Sequence, residues 1–278
     1  MISVVIPVRN GMPWLEGQLR ALADQDCLDR WEVVVADNGS DDGSREFAEV
    51  WSTAHDRFRV VDASARAGAP AARNAGVRAA EGDLIAFCDA DDVVHSGWIS
   101  ACAEALGHAD VAAGTFDTWS LNGGPESPAI PAAYRQLGFL PAGLTANLAV
   151  RRSAFDDAGG FDEALLMGDD IELCWRLQLR GFRFASAPDA VVAKRERDGF
   201  THVFRQTFSY GLCGPVLYRR YRSQGARRDL SGAGKTWAWL VCSVPLLLIS
   251  NRRCEWARAA GVRLGRLVGS VRESVFFP

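Results

Sequence analysis

Asp89, Asp91 and Asp92 follow directly on the apolar run 84–88, which has the composition of a buried strand. Carboxylates this close together repel one another unless they share a cation. Hard cations such as Mg²⁺ and Mn²⁺ prefer oxygen ligands and retain waters, so one or two carboxylates and two phosphate oxygens complete a site. The cluster therefore indicates a metal–diphosphate site. The alternative is helix capping, with Asp92 as the cap of a helix predicted to include 98–106.

A second acidic pair, Asp169 and Asp170, begins a predicted amphipathic helix over 171–179. The apolar stripe of this helix is predicted to consist of Ile171, Cys174, Trp175 and Leu179. On the residues alone, two carboxylates at a helix start can act as caps that the helix dipole stabilises.

Alternating strands and helices would position these acids. Strands are predicted at the opening segment 2–10, which closes in a loop, and at 31–36, 58–61 and 83–88, with helices at 13–24, 44–54 and 69–80. This alternation predicts right-handed parallel β-α-β units. In such sheets ligands bind at the carboxyl ends of the strands, where Asn10, Asp37 and Asp89 fall.

Five ordered motifs carry a resemblance to a known family. They are PVRN at 7–10, DNGS at 37–40, ARNAG at 72–76, DADD at 89–92, and GGFDE at 159–163 followed by GDDIE at 168–172. Together they resemble the family 2 glycosyltransferases, which are inverting enzymes with the GT-A fold, over residues 2 to about 180. The resemblance implies an α/β fold, with a mainly parallel central sheet flanked by helices and a helical C-terminal extension.

The resemblance also implies a nucleotide-sugar site. Its residues would be Pro7, Val8, Arg9, Asn10, Asp37, Asn38, Gly39, Arg73, Asp89 and Ala90. Asp37 can accept a hydrogen bond from an N–H of a uracil- or guanine-like base, and Gly39 leaves room for the nucleotide. An Asx-turn with a helix cap at Ser40 or Ser44 is a compatible interpretation. Arg73 can reach a base or phosphate through its planar donors.

For the metal, the resemblance implies direct ligation of Mg²⁺ or Mn²⁺ by Asp91, with Asp89 near the metal and the ribose. The family often adds a histidine after the last core strand, but the segment 190–195 contains none. His202 could substitute as a ligand, although a lone histidine in an aromatic helix is more often structural. Lys194 or Arg195 could instead meet the diphosphate. The third ligand stays open at this point.

In the same family the second acid of the later pair is the catalytic base, a role that falls to Asp170. It would deprotonate an acceptor hydroxyl, which attacks the anomeric carbon opposite the diphosphate and inverts the centre. The usual first acid is Glu, which contacts donor or acceptor, whereas this chain has Asp169, whose side chain is shorter by one methylene. Asn147 and the segment 139–147 are expected to shape the acceptor or donor pocket.

The C-terminal third has another character. Residues 194–228 interleave Arg with aromatic side chains, and the apolar stretch 236–250 is too short for a bilayer span of about 20 residues. We expect a GT-A catalytic domain at 1–193, with a nucleotide-binding half (1–92) and an acceptor-binding half (93–193). A helical region at 194–278 would rest on a membrane surface. Internal packing or an oligomer interface, such as a homodimer, are the alternatives.

Composition excludes several classes of protein. Net charge is −3 over 278 residues, so nucleic acid is not an expected partner. Seven cysteines without a C-x-x-C pair indicate a reducing cytoplasm, and no signal peptide is expected because a core strand opens the chain. A P-loop that ends in Gly234, Lys235 and Thr236 would need glycine at position 229, where this chain has Asp229. No G-x-G-x-x-G motif follows the first strand, so a dinucleotide oxidoreductase is not expected.

The resulting expectation is transfer of a sugar from a nucleoside-diphosphate donor to a sugar or lipid-linked acceptor, in cell-surface polysaccharide or glycolipid synthesis. The cytoplasmic enzyme would sit peripherally at the inner face of the membrane. Two alternatives stay open. One is a catalytically inactive nucleotide-sugar-binding or scaffold protein, and the other is a nucleotidyltransferase, which would release pyrophosphate.

Overall fold

The computed structural model describes residues 1–165, 167–249 and 252–278. Ser250 and Asn251, at the end of the predicted apolar stretch and just after it, lie outside the described residues, as do the side chains of Leu246 and Leu248. The chain forms two compact units. The first unit comprises 1–134 and 141–196, and the second comprises 135–140 and 197–278.

The strands of the described residues are β1 (Ile2–Val8), β2 (Trp31–Asp37), β3 (Phe58–Asp62), β4 (Leu84–Cys88), β5 (Val93–Val94), β6 (Val111–Asp117), β7 (Ile130–Pro131), β8 (Ala133–Arg135), β9 (Pro141–Gly143), β10 (Asn147–Arg151) and β11 (Phe184–Ala193). The α-helices are α1 (Leu15–Ala23), α2 (Ser44–Ala54), α3 (Ala69–Ala79), α4 (Trp98–His108), α5 (Arg152–Ala158), α6 (Asp169–Leu179), α7 (Phe200–Tyr221), α8 (Leu230–Cys242) and α9 (Arg253–Glu273). Two 3₁₀ turns occupy Arg222–Gln224 and Val244–Leu248.

The main sheet has the strand order β3-β2-β1-β4-β10-β6-β11-β5, with β7 paired to β6. Its first half, from β3 to β4, is parallel as predicted. The second half is mixed, because β10 runs antiparallel to both β4 and β6. The sheet is therefore less uniformly parallel than the sequence indicated. β8 and β9 form a separate two-stranded sheet.

Parallel register brings the carboxyl ends of three strands to one edge. Val8 of β1 lies opposite Asp37 of β2, and Val5 of β1 lies opposite Phe87 of β4. The loops that follow β1, β2 and β4 therefore leave the sheet side by side. These loops carry three of the five sequence motifs.

Helix α3 lies close to the sheet. A Cβ atom at Gly76 would collide with Cγ1 of Val5 on β1, and Ala72 is completely buried. Small side chains are needed on this face of α3 because the helix backbone lies almost in contact with β1. Helix α3 also carries Arg73, whose side chain is buried and contacts Asp89 directly after β4.

Three local interpretations are wrong, two of them alternatives that concern helix caps. Asp92 does not cap the predicted helix 98–106, because α4 begins at Trp98 with Gly97 as its N-cap residue. No Ser side chain caps α2, which has Gly43 at that position. The stripe of α6 includes buried Ile171, Cys174 and Trp175 but not Leu179, whose side chain is 47% exposed at the helix end.

In the second unit, helices α7 and α9 pack closely through glycines. A Cβ atom at Gly211 of α7 would collide with the Val262 carbonyl, and one at Gly265 of α9 with the Phe208 carbonyl. Among the described residues, no helix is both long and apolar enough to cross a membrane. The seven cysteines are free thiols.

Candidate active site

The acidic cluster lies at the carboxyl end of β4. Asp89, Asp91 and Asp92 each offer a carboxylate oxygen, and these oxygens lie within 4.8 Å of one another. Gln18, buried on α1, donates to the Asp89 carbonyl (3.1 Å) and accepts from the Val94 N–H (3.0 Å), and so holds both ends of the loop. The loop between β4 and β5 is thereby fixed in place.

Arg73 joins the two acidic motifs that the sequence separates by 80 residues. One terminal nitrogen of its guanidinium lies 3.2 Å from Oδ1 of Asp89, and the other lies 3.1 Å from Oδ2 of Asp169. Burial opposes the charge of Arg73, but the neighbouring carboxylates outweigh it and raise its pKa above the usual value. A buried guanidinium with two carboxylate partners therefore holds the start of α6 against the acidic cluster.

Asp170 is the second acid of the later pair, and its carboxylate accepts from two backbone N–H groups. The donors are Ile171 (2.8 Å) and Thr145 (3.3 Å). Burial, together with the charge of Asp169, raises the pKa of Asp170 to about 7, although Arg73 opposes the shift. Burial likewise raises the pKa of Asp169, against the attraction of Arg73. A carboxyl with a pKa near neutrality is suited to take up a proton.

Asp92 is paired with cations from the segment after β11. Lys194 Nζ lies 3.1 Å from Asp92 Oδ2, and the Arg195 backbone N–H donates to Asp92 Oδ1 over 2.8 Å. Burial raises the pKa of Asp92 to about 6, although Lys194 opposes it. Arg195 also donates from Nε to the Asp91 carbonyl (3.0 Å), and its guanidinium stacks 3.9 Å from the ring of Trp14. Neither cation is thus free of protein contacts.

The predicted nucleotide residues follow β1 and β2. The Asp37 carboxylate accepts from the N–H groups of Gly39 (3.2 Å) and Ser40 (3.3 Å), which is the expected Asx-turn. Gly39 has a φ of +79°, a conformation that favours glycine. The Asn38 amide donates to the carbonyls of Ala63 (2.6 Å) and Arg66 (2.8 Å), so it braces neighbouring loops.

The β1 end contributes further predicted residues. Pro7 and Val8 belong to β1, whereas Arg9 and Asn10 are exposed beyond it. The Asn10 side chain accepts from the Asp41 N–H over 2.9 Å, which ties the loops after β1 and β2 together. Ala90 is buried inside the acidic loop. Their contacts with a nucleotide sugar stay predictions.

Asn147 is completely buried at the start of β10. Its amide donates to the carbonyls of Thr115 and Ala190, both at 2.8 Å, and its carbonyl oxygen accepts from Trp98 Nε1 at 2.9 Å. These bonds link three strands and α4. The pocket role predicted for Asn147 stays a prediction, but its burial and saturated amide count against it.

Two predicted residues belong to the second unit. His202 lies in the first turn of α7, and its role as a metal ligand stays a prediction. Phe139, from the segment expected to shape the acceptor pocket, packs against Tyr221 with 6.1 Å between ring centroids. That pairing provides core contacts for the second unit.

Sequence reasoning missed Gln18 and Trp14. Gln18 lies on the buried face of α1 between Leu15 and Leu22 and is itself fully buried. A polar residue on an apolar helical face is a readable signal, because its amide must find partners inside the protein. The contact between Trp14 and Arg195 joins residues far apart in sequence, and no local pattern indicates it.

Comparison with known proteins identifies the family. A family model described as "Glycosyl transferase family 2" matches residues 3–159, more than half of the chain, and one described as "Glycosyl transferase family group 2" matches 132–260. The chain belongs to glycosyl transferase family 2. It is therefore a glycosyltransferase, as the sequence motifs predicted.

Curated relatives of this glycosyltransferase include Glycosyltransferase AglE of Haloferax volcanii, 28% identical over 76% of this chain and 71% of AglE. The Pre-mycofactocin glycosyltransferase of Mycobacterium tuberculosis is 30% identical over 87% of this chain. The chain spans only about half, 53%, of that relative's length.

Solved structures share the fold of this glycosyltransferase. Mannosyltransferase PcManGT from Pyrobaculum calidifontis, in complex with GDP-Man and Mn²⁺, has a TM-score of 0.66 over 96% of this chain and 86% of its own, at 18% identity. S. aureus TarS 1-349 in complex with UDP-GlcNAc has a TM-score of 0.58 over 100% and 93%, also at 18% identity. The predicted GT-A fold is thus confirmed, together with its flanking helices and helical C-terminal region.

Proposed function

We propose that this glycosyltransferase moves a sugar from a nucleoside-diphosphate donor to an acceptor hydroxyl with inversion, in cell-surface polysaccharide or glycolipid synthesis. One observation carries the proposal. The Arg73 guanidinium contacts Asp89 at 3.2 Å and Asp169 at 3.1 Å, which brings the diphosphate-side acids next to the start of α6. A donor site and a general base must lie this close for a single displacement.

In the proposed reaction Asp170 takes the proton of the acceptor hydroxyl. The acceptor oxygen forms a bond to the anomeric carbon as the bond to the diphosphate oxygen breaks, so the nucleoside diphosphate leaves with both electrons. A pKa of about 7 suits Asp170 to hold that proton near neutral pH. Asp169, paired with Arg73, positions the base and raises its pKa.

The donor set of the acidic cluster fits a hard divalent cation, because it consists of carboxylate oxygens within 4.8 Å of one another. Asp91, with Asp89 beside it, would hold Mg²⁺ or Mn²⁺, whose charge would stabilise the departing diphosphate. The complexes of PcManGT with GDP-Man and Mn²⁺ and of TarS with UDP-GlcNAc support a nucleotide-sugar donor and divalent metal here as well.

For the second unit we propose attachment to an anionic membrane surface, which a lipid-linked acceptor would require. It contains fifteen Arg and Lys residues but only four acidic ones, Asp198, Asp229, Glu255 and Glu273. An exposed apolar row runs along α9 through Leu264, Leu267, Val268 and Val271. Cations beside exposed apolar side chains favour an anionic interface, whereas a homodimer would cover the same row with protein.

We propose a separate role for each domain. Residues 1–193 would form the catalytic domain, with a nucleotide-binding half at 1–92 and an acceptor-binding half at 93–193. The region 194–278 would be the membrane-directed part. A peripheral position on the cytoplasmic face would follow if the acceptor is lipid-linked.

The test incubates wild type and Asp170→Asn with UDP-, GDP- and dTDP-sugars and Mn²⁺, and measures the released nucleotide. Wild type should release nucleoside diphosphate, and the variant should bind the donor similarly but turn over about a hundredfold more slowly or worse. NMR of the transferred sugar should show an inverted anomeric centre. Release of pyrophosphate would identify a nucleotidyltransferase, and tight binding without release an inactive nucleotide-sugar-binding protein.

A further inference from the structure

Two of the three carboxylates in the acidic cluster already have cationic partners within the protein. Asp89 accepts from Arg73 at 3.2 Å, and Asp92 pairs with Lys194 at 3.1 Å. The other oxygen of the Asp92 carboxylate accepts a hydrogen bond from the Arg195 N–H. Both pairs are made by the protein itself and need no bound ion.

Asp91 differs from its neighbours. In the part of the chain that the structure describes, its carboxylate has no hydrogen bond or ion pair, whereas its backbone carbonyl accepts from Arg195 Nε. Asp91 is partly exposed, while Asp92 is 1% exposed. The Asp91 carboxylate can therefore bind a metal ion without breaking an ion pair inside the protein.

Lys194 is held beside the cluster through both its backbone and its side chain, which is 30% exposed. Its backbone N–H donates to the Asp117 carbonyl (2.7 Å), and its ammonium lies 5.1 Å from the centre of the Phe116 ring. Lysine is ordinarily charged at neutral pH, and the ammonium of Lys194 lies 3.1 Å from the Asp92 carboxylate, which favours the charged form.

Resting on the proposed function, we infer that Lys194 is an internal counter-cation that makes divalent-metal binding depend on the nucleotide. The fixed ammonium occupies Asp92 and repels a second cation at Asp91. A nucleoside diphosphate supplies phosphate oxygens and negative charge, which offset that repulsion. The empty protein thus binds Mn²⁺ weakly, and the metal is held once the diphosphate is present.

The test measures Mn²⁺ binding directly, by EPR of free Mn²⁺, with no nucleotide present and then with saturating UDP or GDP. The variants are Lys194→Met, which removes the charge, and Lys194→Arg, which keeps it. We expect UDP or GDP to tighten Mn²⁺ binding to wild type by about tenfold or more, the effect of at least one nearby charge. Without nucleotide, Lys194→Met should bind Mn²⁺ about tenfold more tightly than wild type, and Lys194→Arg should resemble wild type.

Lys194→Met leaves Asp92 buried without its cation, so its thermal unfolding is measured alongside. If it unfolds, a second comparison replaces it. Asp92→Asn/Lys194→Met should bind Mn²⁺ more tightly than Asp92→Asn alone, because both members of that comparison lack the buried carboxylate. If Lys194 has only a structural role, the two variants should differ in stability but bind Mn²⁺ with equal affinity.

Equal Mn²⁺ affinities of Lys194→Met and wild type in the absence of nucleotide would overturn the inference. Tight Mn²⁺ binding by wild type that UDP and GDP do not strengthen would overturn it as well. These outcomes leave the proposed function intact as long as a nucleotide binds and is released from its sugar. If no UDP, GDP or dTDP compound binds wild type at any metal concentration, the proposed function fails. The comparison of Mn²⁺ binding by wild type and Lys194→Met without nucleotide still tests whether Lys194 acts as a counter-cation.

Discussion

Asp169→Asn should lower the pKa of Asp170 and move the acidic limb of the pH–rate profile to lower pH. The charge of Asp169, added to burial, raises the pKa of Asp170 to about 7. The substitution removes this like charge and frees the Arg73 nitrogen that lies 3.1 Å from Asp169. Both changes favour the carboxylate form of Asp170.

The size of the effect follows from the protonation equilibrium. With a pKa of about 7, Asp170 is about 9% deprotonated at pH 6 and about 91% at pH 8, which predicts an approximately tenfold rise in rate. A full neighbouring charge moves a carboxyl pKa by about 1–3 units. A pKa of about 6 or below would reduce the rise between pH 6 and pH 8 to about twofold or less.

The assay follows release of nucleoside diphosphate from the best donor at saturating Mn²⁺ between pH 5 and 9, with each profile divided by its own plateau. Glu104→Gln, which neutralises an exposed carboxylate on α4, is the matched control and should keep the wild-type limb. Asp169→Glu should keep a limb near neutrality because it preserves the charge. An unchanged limb in Asp169→Asn would refute the coupling between the two acids.

Three further predictions concern other parts of the protein. Asp91→Asn should keep the melting temperature of wild type but lose most metal-dependent binding of UDP or GDP, because an amide is a poorer ligand for a hard cation. Calorimetric titration with UDP or GDP, with and without Mn²⁺, checks this. Gln18→Leu should destabilise the fold by about 1–3 kcal/mol in urea unfolding, because buried partners at Asp89 and Val94 lose their bonds; an unchanged midpoint would contradict it. The full chain should sediment with anionic liposomes, and less of it should do so at high salt. Truncation before Thr236 should leave the protein in the supernatant. If the full-length protein stays in the supernatant at low salt, the segment from Thr236 onward has a core or oligomer role instead.

Much of the first unit could be predicted from sequence, because its signals are local. Strand β1 is apolar except for Ser3 and is followed by turn formers, and the predicted bounds of helix α2, Ser44–Ala54, are the observed ones. Parallel strands separated by helices place their carboxyl ends together, so the neighbourhood of Asp37 and Asp89 follows from chain order. The five motifs then indicated the family, which the comparisons confirm.

The tertiary structure decided which acids have cations. Capping of α4 is the alternative that the sequence offers for Asp92, but 102 residues later the chain places Lys194 against it, 3.1 Å away. Arg73 similarly meets Asp169 across 96 positions. Sequence periodicity reports which side of an element is apolar, but a salt bridge between distant segments depends on how those elements pack. The residue types of the acidic motifs are therefore readable from the sequence, while their pairing, and with it the pKa of Asp170, arises only in the folded chain.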